Sequence, residues 1–230
     1  MRHPDGRARV KSDEQRLSRS LRRCVDSTHM VGRRIPTFAS GLPHTRAAVE
    51  YAQRAHAGQL RTDGTAFVLH PLEVASLLYY AGAPDHVIAA GALHDVLEKA
   101  DVSAATLRAS FGSRITELVL AVSDDDRIRG YAERKAALRR QVAGAGDDAL
   151  MLFAADKLSK LRELRREAVV DYDERGAPMP LPELRARRLR HYQRSLALLE
   201  ERLPESPLVK ELRKELRLFR REHARHLART

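Results

Sequence analysis

The sequence predicts an all-α domain, and two observations support this fold class. Apolar residues recur at intervals of three and four along most of the 230-residue chain, which is the spacing of one face of an α-helix. No segment shows a convincing alternation of apolar and polar residues, the pattern of a half-buried strand. Because 43% of the residues are hydrophobic, the chain can bury a substantial core. We therefore expect a bundle of helices.

Glycine and proline mark the breaks between the predicted helices. Gly58 ends the first helix, Pro71 stands near the start of the second, and Phe111-Gly112 separates two short ones. The third helix is apolar on almost all sides, so we expect it at the centre of the bundle. A loop is predicted over 176–182, which contains three prolines. The predicted helices cover 44–57, 70–79, 85–98, 103–109, 115–122, 131–143, 147–166, 183–203 and 208–219.

The beginning of the chain differs from the rest. Residues 1–40 carry many charges and little apolar periodicity, so we expect most of this segment to be disordered. We place a basic extension at 1–42, a helical domain at 43–203 and a basic C-terminal helix at 204–230. A chain that starts near Pro43 is accordingly expected to keep its stability and its site.

Charge and cysteine content limit the partners and the compartment. The net charge of +11 attracts nucleotides, nucleic acids and anionic membranes alike, and does not choose among them. We recognise no nucleic-acid-binding motif and no apolar run long enough to span a membrane, so we expect no specific nucleic acid and no membrane as partner. The lone cysteine, Cys24, permits no disulfide within the chain, which is typical of a reducing cytoplasm. The oligomeric state is left open.

Ionisable residues stand inside three apolar segments: His70 in VLHP, His94 and Asp95 in LHDVLE, and Asp156 in AADKL. An isolated buried carboxylate is costly, so each of these acids needs a partner. Taken singly, each residue has an ordinary explanation: His70 can cap a helix, and Asp156 can pair with Lys160 one turn later. One divalent cation would satisfy all four together, and mixed nitrogen and oxygen ligands suit Mn, Fe, Zn or Ni better than Ca. The combination therefore favours a metal site.

Glu98 follows His94 by four residues, so we expect it on the same helix face as the metal. There it could hold or deprotonate a water molecule whose pKa the metal lowers. A metal with open positions also polarises a phosphoryl oxygen. The pattern thus indicates a metal-dependent phosphohydrolase.

The order H…HD…D, with these flanking residues, resembles the HD superfamily. More closely, residues 44–200 are similar to the hydrolase domain of the RelA/SpoT family and of its small relatives, the metazoan SpoT homologues. The similarity is carried by YAQRAHAGQLRTDGTAFVLHPLEVASLL, AAGALHDVLEKADVSAATLRASFGSRITELVLAVSDD and LFAADKLSKLREL. It implies an HD-domain helical bundle with one metal ion in its core, usually Mn. It further implies that the substrate is a small phosphorylated nucleotide, guanosine tetra- or pentaphosphate, from which the 3′-pyrophosphate is removed.

The resemblance also implies roles for individual residues. His70, His94, Asp95 and Asp156 match the metal ligands of the family. Glu98 matches the first of two acidic residues that handle the attacking water.

Four further residues are expected to contact the substrate. Arg61 lies where the family has a basic residue that contacts the base, although a solvated loop cation is the ordinary alternative. Tyr192 falls in a segment that supplies a nucleotide-contacting tyrosine, although core packing explains it equally well. Lys157 and Lys160 flank the last metal ligand, and we expect them near the phosphates.

Two residues depart from the family's pattern. The family usually has Glu-Asp after the HD pair, where this chain has Glu98-Lys99, and it usually has Asn where this chain has Lys160. Both changes put a cation beside the expected active site. We expect Lys99 to reach a substrate phosphate, with a solvated surface lysine as the alternative. The changes leave two other functions open: an HD phosphohydrolase of another nucleotide or phosphoester, and a catalytically weakened alarmone-binding protein.

Overall fold

The structure, a computed structural model, describes residues 35–61, 63–166 and 181–227. A 3₁₀ turn at Thr37–Ala39 precedes the first α-helix. No strand forms within the described ranges, where Leu60 and Ala66 make an isolated bridge, and the all-α fold class is confirmed. The helices are α1 (Pro43–Ala55), α2 (Leu69–Tyr80), α3 (Asp85–Leu93), α4 (Val96–Lys99), α5 (Ala104–Val122), α6 (Tyr131–Gly144), α7 (Asp147–Arg166), α8 (Leu181–Arg202) and α9 (Pro207–Leu227).

Most predicted helices agree with the observed ones, although α9 extends to Leu227, eight residues beyond its predicted end. The run of α5 is interrupted at Gly112, whose φ of 79° is not helical, so the predicted turn there is confirmed. The single helix predicted over 85–98 is wrong, because α3 ends at Leu93 and α4 begins at Val96. The Gly91 carbonyl, which would continue the helical pattern, accepts a hydrogen bond from the His94 ring at 2.9 Å, and this bond competes with the backbone one. The disorder predicted over 1–40 and the loop predicted over 176–182 lie outside the described residues for 1–34 and 176–180. Where the structure describes them, residues 37–39 form the 3₁₀ turn, and the loop prediction is wrong for residues 181–182, which belong to α8.

The apolar helix α3 lies at the centre of the bundle, as predicted. It packs against α1, α2, α5 and α7, and the residues 87–93 are all buried. A side chain at Gly91 would meet α2 directly, because an added Cβ would lie 2.6 Å from Leu78 Cδ1 and 3.3 Å from Ala75 Cα. The absence of a side chain at this position therefore lets α2 and α3 approach closely.

The start of α3 also holds the start of α1. Asp85 accepts hydrogen bonds from the amides of His44 and Thr45 at 3.0 and 2.9 Å, and from the Thr45 hydroxyl at 2.6 Å. These amides belong to the first turn of α1, where backbone donors lack helical partners. Partial burial alone would raise the pKa of Asp85, but the hydrogen bonds from Thr45 and His44 lower it.

The two ends of the described chain both contact the bundle. Within the predicted extension, Ala39 is fully buried and the Phe38 ring lies 5.5 Å from the Tyr79 ring. At the other end, α9 packs against α7 and α8. Among the described residues, no helix is both long enough and apolar enough to cross a membrane. The apolar face of α9 consists of Leu208, Val209, Leu212, Leu216 and Phe219.

Candidate metal centre

Four ionisable side chains from three parts of the fold meet beneath the surface. His70 stands in the first turn of α2, His94 and Asp95 form the junction between α3 and α4, and Asp156 lies in the middle of α7. All four are at most 5% exposed. The close approach of α2 and α3 at Gly91 places the two histidines near each other.

The ligand atoms of these side chains form a compact group. His70 Nε2 and His94 Nε2 lie 3.1 Å apart. Asp95 Oδ2 lies 3.5 and 3.3 Å from these two nitrogens, and Asp156 Oδ1 lies 3.3 and 3.6 Å from them. His70, His94 and Asp156 each offer a ligand atom within 4.8 Å of the others, and Asp95 joins them through its contacts with both histidines. The structure thus brings together the four predicted ligands.

A hydrogen bond at the Nδ1 of each imidazole directs its Nε2 toward the other ligand atoms. His94 Nδ1 donates to the Gly91 carbonyl at 2.9 Å, since a carbonyl can only accept. Ser159 donates its hydroxyl proton to Glu73 at 3.0 Å, so His70 Nδ1 donates to Ser159 Oγ at 2.9 Å. In each neutral ring the lone pair then lies on Nε2, the orientation that such partners fix in metal-binding histidines.

The electrostatics of the group suit a cation. Burial, helped by the charge of Lys160, lowers the pKa of His70 to about 4. Burial by itself raises the pKa of Asp95, but His94 and Lys160 outweigh it and the pKa falls well below its ordinary value. The pKa of Asp156 is also lowered, because Lys157 and the two histidines outweigh burial. A neutral imidazole and two ionised carboxylates are therefore available at neutral pH.

These donors fit a divalent metal ion. Asp95 Oδ2 and Asp156 Oδ1 are buried and have no hydrogen-bond partner in the described part of the chain. Neighbouring ligands at about 2.0–2.2 Å from one ion lie roughly 2.8–3.6 Å apart, depending on the geometry. The separations between histidine nitrogens and carboxylate oxygens fall in that interval. The chemistry of the donor set and its two unsatisfied oxygens together indicate one divalent metal.

Glu98 lies next to this group, although the reason differs from the predicted one. It follows Asp95 on the short helix α4, where its amide donates to the Asp95 carbonyl at 3.2 Å. Its Oε1 accepts a hydrogen bond from the Asp124 amide at 2.8 Å. Burial raises the pKa of Glu98 above its ordinary value, although the Asp124 amide opposes the shift. A carboxylate with a raised pKa is a suitable proton acceptor.

Two lysines face the carboxylate ligands. Lys157 is 5% exposed, donates to Asp156 Oδ2 at 2.6 Å, and has its ammonium 4.6 Å from the centre of the Phe153 ring. Lys160 has its Nζ 3.9 Å from Asp95 Oδ2, and 34% of its side chain is exposed. The predicted pairing of Asp156 with Lys160 is therefore replaced by two other lysine–aspartate pairs.

The other predicted site residues lie in different surroundings. Lys99, at the end of α4, is exposed. Arg61 is partly buried in the loop before α2, and its Nε has no hydrogen-bond partner among the described residues. Its charge acts on Glu163 of α7. Burial raises the pKa of Glu163, and the charge of Arg61 opposes this shift. Tyr192 is 2% exposed and belongs to the hydrophobic core, where burial raises the pKa of its phenol far above the ordinary value.

A basic cluster beside the centre was not recognised from the sequence. The Tyr131 ring on α6 has Arg187 Cζ 4.4 Å, Arg188 Cζ 5.8 Å and Lys135 Nζ 5.9 Å from its centre. Lys135 also forms a very short ion pair with Asp124, the residue whose amide binds Glu98. The basic composition of α6 and α8 was the available signal, but it does not say which cations face inward.

His191, on α8, belongs to the same cluster. Its Nδ1 lies 3.2 Å from Arg139 Nη1, and its ring centre lies 6.3 Å from that of Tyr131. Burial lowers the pKa of His191 strongly, and Lys157 and Lys135 lower it further. His191 therefore lies between the basic cluster and the lysine next to Asp156.

Comparison with known proteins gives consistent matches. A family model described as an HD domain matches residues 48–176. A guanosine-3′,5′-bis(diphosphate) 3′-pyrophosphohydrolase from Homo sapiens, MESH1, is 36% identical over 123 residues, which are 52% of this chain and 68% of that protein. A GTP pyrophosphokinase from Streptomyces coelicolor is 33% identical over 129 residues, which are 55% of this chain and 15% of that protein.

Among solved structures, one described as a metazoan ortholog of SpoT that hydrolyses ppGpp superposes with a TM-score of 0.63. It is 23% identical, and the match covers 80% of this chain and 97% of the other. This likeness concerns the fold. The chain spans only 15–18% of the length of five bacterial relatives, so those proteins contain much that has no counterpart in the match.

Proposed function

The chain belongs to the HD domain family, and on that premise we propose that it is a metal-dependent (p)ppGpp 3′-pyrophosphohydrolase. The observation that carries the proposal is the convergence of His70, His94, Asp95 and Asp156, in which two buried carboxylate oxygens have no hydrogen-bond partner among the described residues. The activity of the human relative supplies the substrate. We further propose manganese as the metal and the cytoplasm as the compartment, the latter because a single cysteine suits a reducing environment.

Each residue has a part in the proposed reaction. The two histidines and two aspartates hold the divalent ion, which would lower the pKa of a water molecule and polarise a phosphoryl oxygen. Glu98 accepts a proton from the attacking water, whose oxygen forms a bond to the phosphorus attached to the 3′ oxygen. The bond between that phosphorus and the 3′ oxygen breaks, and the 3′ oxygen receives a proton. The products are pyrophosphate and a nucleotide with a free 3′ hydroxyl.

Cations around the centre support a substrate with many phosphate charges. Lys157 and Lys160 lie at the metal ligands, and the cluster of Lys135, Arg187 and Arg188 lies on the side of Asp124. Several positive charges in one partly buried region attract polyphosphates strongly. Arg61 is proposed to contact the guanine base from the loop before α2.

The test is hydrolysis of ppGpp by the purified Mn-loaded chain, with pyrophosphate release as the measurement. We expect Glu98→Ala to retain the metal and to lose on the order of 10²–10⁴-fold in rate, as for loss of a general base. His94→Ala should lose both the metal and the activity. Metal content measured on both variants separates a catalytic residue from a metal ligand.

Two results would reject this function. In the first, the wild-type chain hydrolyses other phosphorylated nucleotides but not ppGpp, whether Mn, Fe, Zn or Mg is supplied. The proposed function is then replaced by the second candidate, an HD phosphohydrolase of another nucleotide. The contact of Lys160 with Asp95, at a position where the family usually has Asn, favours that candidate. If no nucleotide is hydrolysed, a binding function replaces both.

A further inference from the structure

The two carboxylates of the metal centre already have counter-ions within the protein. Lys157 lies 2.6 Å from Asp156, and Lys160 lies 3.9 Å from Asp95. Two negative charges are therefore balanced by two positive charges. A divalent ion that enters this centre meets a group of charges with no net charge. The group therefore attracts the ion less strongly than two carboxylates without counter-ions would.

The two lysines are not equivalent. Lys157 contacts Oδ2 of Asp156 and leaves Oδ1 free to face the histidines. Lys160 contacts Oδ2 of Asp95, the same oxygen that faces His70 and His94. Only Lys160 therefore competes with a metal ion for one oxygen atom.

Lys160 also has room to leave that oxygen. Its side chain is 34% exposed, whereas that of Lys157 is 6% exposed and lies over the Phe153 ring. Lysine has a long flexible stem that lets its ammonium exchange one partner for another. Besides Asp95, the carboxylates whose charge acts on Lys160 are Asp156 and Glu163 on the same helix and Glu98 on α4.

We propose that Lys160 is an exchangeable counter-ion, which pairs with Asp95 in the metal-free protein and moves to a phosphate of the substrate when metal binds. A metal ion displaces the ammonium from Asp95, and an anion gives the displaced ammonium a new partner. Metal and phosphate therefore bind with positive coupling, and by linkage each strengthens the other by the same factor. The inference rests on the proposed function only in that the substrate carries phosphate; it does not depend on guanosine.

The experiment measures Mn²⁺ affinity by calorimetric titration, with and without inorganic phosphate. For the wild-type chain we expect phosphate to tighten Mn²⁺ binding by roughly 5–150-fold, the usual size of such coupling. Lys160→Met should bind Mn²⁺ more tightly than wild type without phosphate, and its coupling should be smaller by at least about fivefold. Lys160→Arg retains the charge and should stay close to wild type. Lys210→Met, which removes an exposed lysine of α9 paired with Glu205, is the matched control and should change neither quantity.

Several outcomes would overturn the proposal. No coupling in the wild-type chain overturns it whatever the variants do, and so does a Lys160→Met protein that binds Mn²⁺ no more tightly than wild type. If Lys160→Met does not fold without metal, Lys160→Asn also removes the charge while keeping a polar side chain, and it must show the same tighter binding. If phosphate tightens Mn²⁺ binding in the wild-type chain but the chain does not hydrolyse ppGpp, only the proposed substrate is rejected. Hydrolysis without coupling would reject this inference alone.

Discussion

Asp95 Oδ2 is the atom at which the proposed metal site meets its nearest lysine. It faces two imidazole nitrogens and one ammonium group, and it has no hydrogen-bond partner within the described ranges. Removal of this carboxylate would leave Lys160 without its nearest counter-ion as well as removing a metal ligand. Its neighbour on α4, Lys99, has a simpler environment, because its ammonium is exposed and its backbone carbonyl accepts a hydrogen bond from Gln59 at 2.6 Å.

Lys99 is the residue at which a single substitution tests the departure from the family. We expect Lys99→Asp to raise kcat for ppGpp by about tenfold, or 1.4 kcal/mol, because a second carboxylate could orient the water. It should also raise KM, because a cation near the phosphates is lost. Lys99→Ala should raise KM without raising kcat. Steady-state kinetics of both variants is the measurement, and unchanged constants in both would show that Lys99 is only a surface residue.

At the scale of helices, the site depends on the approach of α2 to α3 and on the break between α3 and α4. Gly91 contributes to both, since it leaves space for Leu78 and its carbonyl accepts the hydrogen bond from His94. The sequence predicts the bounds of α7 correctly, because its apolar stripe is regular and Gly146 precedes it. It does not predict the break at His94 and Asp95, because apolar residues continue through the junction and the hydrogen bond that causes it involves a side chain.

Gly91→Ala should therefore disturb the metal centre from a position that contributes no ligand. An added Cβ would lie 2.6 Å from Leu78 Cδ1 and 3.3 Å from the α2 backbone, so the helices must separate or repack. We expect a loss of about 1–3 kcal/mol in the free energy of unfolding, as for other overpacked cores, together with weaker Mn²⁺ binding. Urea unfolding and metal titration are the measurements.

Gly144→Ala is the matched control for this substitution. Nothing lies within 4 Å of a Cβ added at Gly144, and the residue is the last of α6. It should leave metal binding unchanged and alter the free energy of unfolding by no more than about 1 kcal/mol. Equal effects of the two substitutions would show that the close approach of α2 and α3 does not position the ligands.

At the scale of the whole molecule, contacts between residues far apart in the chain are the features that the sequence predicts least well. The four metal ligands were recognisable because each interrupts an apolar segment and their order resembles a known family. The cluster around Tyr131 was not, because it joins α6 to α8 across more than fifty residues and both helices carry many cations. Ser159 and Glu73, which orient His70, were missed for the same reason: their spacing in the chain does not indicate their contact.

The N-terminal boundary offers a last test, because the structure divides the predicted extension into two parts. Residues 37–39 form a 3₁₀ turn with Ala39 buried, and the Phe38 ring contacts Tyr79 at the C-terminal end of α2. The metal ligand His70 lies nine residues earlier on that helix, which corresponds to about 14 Å along its axis. Loss of the turn should therefore lower stability and leave the metal site intact, which revises the expectation that a chain starting near Pro43 keeps its stability.

We expect a chain that begins at Ile35 to keep the melting temperature and the Mn²⁺ affinity of the full chain. A chain that begins at Pro43 should keep the affinity but melt roughly 3–12 °C lower, since burial of one large apolar side chain contributes about 1.5–3 kcal/mol and each kcal/mol shifts Tm by about 2–4 °C at this size. Phe38→Ala in the full chain is the control and should reproduce part of that decrease. Thermal unfolding monitored by circular dichroism, with metal titration alongside, makes the comparison. A lower Tm for the chain beginning at Ile35 would show that residues 1–34 also stabilise the domain, and an unchanged Tm for the chain beginning at Pro43 would show that the turn contributes nothing.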